Sequence, residues 1–153
     1  MAKVRIGIVV SEFNNEITFD MLNEAKKHIA SEHNNAKLLY TCKVPGVFDM
    51  PLMVEELLKK KNIDAVVTLG AVIKGETSHD KVITNSTVNL IGELSLKHRK
   101  PVSLGITGPD MTFEQAEARI TPVTQHAINA AILMTRRLKK IRHEKTKETR
   151  TPY

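Results

Sequence analysis

The chain has 153 residues, 41% hydrophobic and 26% charged, which fits one globular domain able to bury a core. A single cysteine, Cys42, excludes an internal disulfide and offers no cysteine pair to a metal. No apolar run approaches the ~20 residues of a membrane span, and no signal peptide precedes Val4, so a cytoplasmic protein without membrane contacts is expected.

The net charge of +6 is unevenly placed. From Arg136 onward there are eight Lys or Arg residues against Glu144 and Glu148, and the rest of the chain balances. The expected organisation is therefore one domain over 1–142 and a basic tail over 143–153. The tail reads as a solvated helix end that frays, and no nucleic-acid partner is expected.

The elements follow in chain order. Val4–Val10 alternates as a strand. Ile17, Met21, Leu22, Ala25 and Ile29 then recur at helical spacing. Lys37–Val44 is a second strand. Pro51–Lys61 is a helix, with Glu55 and Glu56 early and Lys59–Lys61 at its end, in the sense that suits the macrodipole. Asp64–Ala71 is the third strand, and Ile83, Thr87, Leu90, Ile91 and Leu94 mark the next helix. Val102–Thr107 is the fourth strand. Thr112 and Gln115 form a capping box for a short helix to Arg119. Thr121 and Pro122 look like N-cap and N1 of the last helix. Its expected inward stripe is Val123, Ala127, Ala130, Met134, Leu138 and Ile141.

Strands of apolar, β-branched residues alternating with amphipathic helices imply an α/β fold. The expected architecture is a flavodoxin-like, doubly wound sandwich, a four-stranded parallel sheet flanked by five helices. Ligands in such folds sit beyond the carboxyl ends of the strands. The segments there are SEFNNEIT (11–18), VPGVFDMP (44–51), IKGETSHD (73–80) and TGPDMT (107–112), all rich in turn-forming or hydrogen-bonding residues.

The chemistry of these loops is narrow. Neither the dinucleotide glycine fingerprint nor the P-loop is present, no Cys/His cluster has metal-ligand spacing, and no serine sits in a nucleophile elbow. What remains is a loop entering a helix: Gly75 permits close approach, Thr77 offers a hydroxyl, and the free N–H groups of the first turn suit an anion such as phosphate. His79 stands at that helix start. It is either a cap or a proton-transfer residue, histidine being the side chain that titrates near neutral pH. Phe13 is either core or a stacking platform. Asp49 is either a solvated loop charge or a ligand contact.

Together the four loops resemble those of lumazine synthases, especially the short archaeal form. The resemblance rests on FN at 13–14, VPGVFDMP at 44–51, GAVIKGETSH at 70–79 and TFEQAEAR at 112–119, and covers about Val4 to Leu138. It implies condensation of 5-amino-6-(D-ribitylamino)uracil with 3,4-dihydroxy-2-butanone 4-phosphate, without metal or cofactor. It also implies roles. Phe13 stacks on the pyrimidine; Val47, Phe48 and Asp49 line the ribityl chain; Ala71, Val72 and Ile73 present backbone groups to the ring edge. Glu76 and Thr77 begin the phosphate pocket, and His79 moves protons. Leu104 and Arg119 resemble residues that reach in from a neighbouring subunit, Arg119 to hold phosphate. The implied partners are the two substrates and further copies of the chain, in a pentamer or a larger hollow shell built from pentamers.

The chain departs from longer members at Asp80 and Leu104, where many carry aromatics. It also departs at Val123 and Ala127, the region where many carry a lysine, so Lys74 is a further candidate cation. Two other readings stay open: an archaeal riboflavin synthase that dismutates lumazine, and a non-catalytic flavin- or lumazine-binding or shell-forming protein.

Overall fold

A computed structural model describes residues 2–31 and 35–149. Strand β1 (Val4–Ser11) leads into helix α1 (Asn15–Ser31), then β2 (Ala36–Val44) and a 3-10 turn (Val47–Asp49) running into α2 (Met50–Leu58). Strand β3 (Ala65–Ile73) precedes α3 (His79–His98), and β4 (Val102–Met111) precedes α4 (Phe113–Ala118) and α5 (Ile120–His143). The sheet order is β2-β1-β3-β4, and every pairing is parallel. The expected fold class is what forms.

β1 is central because both its faces are apolar. Val4, Ile6, Ile8 and Val10 join Met21, Leu22, Ala127 and Ile128 in one core beneath α1 and α5. Val9 joins Val54, Leu57, Leu58 and Ile91 in a second core beneath α2 and α3. Arg5 donates to Asp64 at 2.9 and 3.0 Å, closing the amino-terminal end of the β1–β3 pair.

Several boundaries differ from the sequence reading. β4 runs four residues past Thr107, because Lys74 N–H donates to Met111 O at 2.8 Å and keeps TGPDM in the sheet. Within it Gly108 has φ +115°, and a Cβ there would lie 2.5 Å from Val72 O, so only glycine fits. α2 stops at Leu58, leaving Lys60 and Lys61 outside it and no acid in its first turn. The expected dipole pattern therefore does not arise. Glu55 instead accepts from Lys97 Nζ at 3.0 Å and meets His98 Nε2 at 3.1 Å.

α5 begins at Ile120, with Arg119 rather than Thr121 at its N-cap. Its buried stripe is Thr124, Ala127, Ile128, Ala131, Ile132 and Thr135, whereas Met134 and Ile141 are exposed. The two threonines disguised the inward face; Thr135 is tolerated there because its hydroxyl donates to Ala131 O at 2.8 Å. In α3 the expected face holds except at Leu90: Thr87 and Ile91 are buried, Ile83 and Leu94 pack against the second core, Leu90 turns outward, and Asp80 and Thr84 are buried as well. The basic end of α5 is likewise no mere extension. Lys139 lies 4.0 Å from Asp64, and Arg142 Nη2 donates to Arg99 O at 2.7 Å. Residues 144–149 are exposed and carry no helix or strand, and 150–153 lie outside the described residues.

Candidate functional site

The carboxyl ends of β1 and β3 open into a cavity of about 400 Å³. Its first wall is the tip of β1. Glu12 N–H and Phe13 N–H donate to Val44 O and Pro45 O at 2.7 and 2.9 Å, which prolongs the strand register beyond Ser11. Asn14 then adopts φ +60° and turns the chain into α1. This leaves the Phe13 ring 72% exposed on the cavity rim, which excludes the core reading. Asn14 Nδ2 donates to Ala71 O at 2.8 Å and ties the two strand tips together. No role for Asn14 emerges from the sequence alone; its position before a helix start is the signal that could have found it.

The 3-10 turn forms the second wall. Asp49 Oδ2 accepts from Gly46 N–H at 3.0 Å and closes the turn, so Val47 points inward and Phe48 stays 65% exposed. The turn packs directly on β3 because position 70 is glycine. A Cβ there would lie 2.7 Å from Val47 Cγ2 and 3.1 Å from Met50 Cε. Ala71, Val72 and Ile73 of β3 make the floor and the third wall.

The fourth wall is the 74–79 loop and the start of α3. Gly75, Thr77 and His79 line the cavity, with Ile83 one turn further on. α3 begins at His79, as the loop's composition implied. Ser78 makes no side-chain cap, and His79 N–H reaches only Thr77 Oγ1 at 3.4 Å. Lys81 N–H and Val82 N–H already donate to Ser78 O at 3.1 and 3.4 Å, so the donors open to an anion are those ahead of Lys81, with an imidazole beside them. A second apolar depression, lined by Phe48, His79, Val82, Ile83 and Ser86, adjoins the cavity over α3.

Eight of the residues singled out from sequence meet at this cavity: Phe13, Val47, Phe48, Ala71, Val72, Ile73, Thr77 and His79. Four do not line it within one chain. Asp49 supports the turn through Gly46. Glu76 is exposed on the loop, Leu104 is 45% exposed on β4, and Arg119 sits between α4 and α5 with its Nη1 donating to Gln115 O of α4 at 2.9 Å. Lys74 faces Asp110 at 3.9 Å. Among the described residues no group of three or more His, Cys, Asp or Glu side chains is placed to hold a metal ion.

A family profile described as 6,7-dimethyl-8-ribityllumazine synthase matches residues 3–139. The chain belongs to the 6,7-dimethyl-8-ribityllumazine synthase family. It is similar to the lumazine synthase of Metallosphaera sedula, 49% identical over 90% of both chains. That of Sulfolobus acidocaldarius is 47% identical over 97% of this chain and 93% of its own. That of Methanocaldococcus jannaschii is 46% identical over 89% and 94%. Lumazine synthase activity in riboflavin biosynthesis, the first of the three readings open from sequence, is the one these matches support. The match reaches Lys139 near the end of α5, so all four walls of the cavity lie within the lumazine synthase region.

Proposed function

We propose that this cavity condenses 5-amino-6-(D-ribitylamino)uracil with 3,4-dihydroxy-2-butanone 4-phosphate to give 6,7-dimethyl-8-ribityllumazine, inorganic phosphate and water. One observation carries the reading: an exposed aromatic ring, Phe13, and an uncapped helix start bearing Thr77 and His79 share one largely apolar cavity. A flat ring suits a heteroaromatic substrate, and the positive end of a helix with a hydroxyl beside it suits a phosphate.

The roles follow from placement. Phe13 stacks on the pyrimidine, and the backbone of Ala71, Val72 and Ile73 reads its edge. Val47 and Phe48 flank the ribityl chain; Asp49 holds their turn and offers its other oxygen to a hydroxyl. Glu76 and Thr77 begin the phosphate pocket. His79 moves the protons that imine formation, phosphate loss, ring closure and dehydration require. Holding two substrates in register supplies much of the remaining rate, and no cofactor enters these steps.

Leu104 and Arg119 complete the site from a neighbouring subunit, Arg119 as the permanently charged phosphate ligand. Exposed Phe48, Leu52, Val82 and Leu90 support burial against further copies. A pentamer, alone or within a hollow shell, is the proposed assembly. No helix among the described residues is long and apolar enough to cross a membrane; a cytoplasmic location and the absence of nucleic-acid partners belong to the proposal. Mixing both substrates with purified protein should release one phosphate per lumazine formed. Riboflavin appearing from lumazine alone, with no phosphate from the substrate pair, would assign the dismutation instead.

A further inference from the structure

The residue that precedes α3 does not fix where α3 starts. Ser78 makes no cap bond, and the only side-chain bond to His79 N–H spans 3.4 Å. Residues 74–79 are all exposed. A loop so weakly held would leave the His79 ring free to drift, yet a proton-transfer group has to stay within hydrogen-bond reach of its substrate.

The missing constraint lies one residue further on. Asp80 is only 4% exposed, in a first turn whose other members are open to solvent. Its Oδ2 accepts from Asp110 N–H at 3.0 Å. Asp110 sits at the tip of β4 with φ +60°, a conformation that turns its amide out of the strand ladder. The Asp110 carboxylate in turn lies 3.5 Å from Lys81 Nζ and 3.9 Å from Lys74 Nζ. Lys74 N–H donates to Met111 O at 2.8 Å. The loop is therefore fastened to the tip of β4 at both ends, by backbone pairing at Lys74 and by a buried carboxylate at Asp80. Successive side chains on a helix diverge by about 100°. With Asp80 bonded to β4 at the cavity's edge, His79 is left lining the cavity beside it.

We infer that Asp80 is the positioning residue of the site: through the amide of Asp110 it fixes the start of α3, and with it the His79 ring and the Thr77 end of the loop. This rests on the reading of His79 as the proton-transfer residue. Asp80 borders the same cavity, but its Oδ2 is taken by Asp110 N–H, and no substrate contact is assigned to it. It acts through geometry, and a displacement of about 1 Å at a reacting group can cost on the order of 10²-fold in rate. The Phe13 and Val47 walls do not depend on it, so pyrimidine binding should be spared.

The test compares wild type, Asp80→Ala, Asp80→Asn, His79→Ala and the double variant His79→Ala/Asp80→Ala, each as the assembled enzyme with both substrates. Asp80→Ala should lower kcat by about 10- to 10²-fold and raise KM for the phosphate substrate. KM for the pyrimidine should stay within about twofold. Asp80→Asn keeps an acceptor for Asp110 N–H and should recover at least tenfold of the loss; it also serves if the alanine variant fails to fold. In the His79→Ala background, adding Asp80→Ala should cost under about threefold, because the group being positioned is already gone. Full additivity of the two losses, no recovery in Asp80→Asn, or wild-type kcat in Asp80→Ala would overturn the positioning role while leaving His79 intact. Wild-type kcat in His79→Ala would instead remove the reading of His79, and the inference with it.

Discussion

Gly70→Ala probes the joint between the sheet and the substrate wall. The added Cβ would lie 2.7 Å from Val47 Cγ2, 3.1 Å from Met50 Cε and 3.3 Å from Ser11 Oγ. Met50 can swing its terminal methyl aside. Val47 cannot, because a β-branched side chain has little rotamer freedom and its backbone is set by the Gly46–Asp49 turn. The turn must move outward by close to an ångström to restore ordinary contact. Overpacking of this kind costs about 1–3 kcal/mol, and the displaced turn carries Val47 and Phe48 away from the proposed ribityl site. The variant should therefore melt several degrees lower and show a raised KM for the pyrimidine substrate, with KM for the phosphate substrate unchanged. Gly75→Ala is the control for stability, since a Cβ there meets nothing within 4 Å. Calorimetry beside steady-state kinetics decides the matter. A Gly70→Ala protein with wild-type melting, or with both KM values raised equally, would refute the coupling between this glycine and the ribityl wall.

Phe13→Ala should weaken pyrimidine binding while leaving the melting temperature nearly unchanged, because the ring is 72% exposed; titration and thermal melts on one preparation check this. Burial pushes the Asp64 carboxyl up, but the Arg5 guanidinium and amide outweigh it and hold the carboxyl below the usual range. A depressed folded pKa stabilises above the unfolded value of about 4 and is lost as pH falls through the lower folded value. Arg5→Met should therefore destabilise by about 1–3 kcal/mol at pH 7, with the gap to wild type closing below about pH 4, as urea unfolding at several pH values will show. Leu52→Glu, at a side chain 72% exposed, should leave the fold intact and disrupt assembly, read by sedimentation. Removing residues 144–153 should leave assembly and turnover unchanged; loss of either assigns the tail a specific partner.

The sheet was legible because its strands are short β-branched runs at regular intervals, a pattern only a parallel sheet covered on both faces explains. The Thr112–Gln115 capping box was legible for a local reason, since both its bonds lie within four residues. The face of α5 was legible only in part, because it carries apolar residues outward and threonines inward; in α3 only Leu90 fell on the wrong side. A rule that sends apolar residues inward then picks the wrong stripe, as it did with Met134 and Ile141. At the site, residues from four separate loops could be assembled because the strands bring their carboxyl ends together. Asn14 and Asp80 could not be assigned, because their partners, Ala71 and Asp110, lie 57 and 30 residues away. Arg119, too, does not line this cavity in its own chain.

On the proposed assembly, one chain would hold the ring platform and the helix start, and a second chain would supply the arginine. Mixed assemblies measure it directly. His79→Ala and Arg119→Ala subunits, each nearly inactive alone, should be co-expressed at equal ratio. Random placement around a head-to-tail contact leaves roughly a quarter of interfaces with both residues intact. Activity near a quarter of wild type, absent when preformed assemblies are merely mixed, is the result the account predicts. Co-assembled oligomers that contain both subunits and remain as inactive as their parents would contradict it.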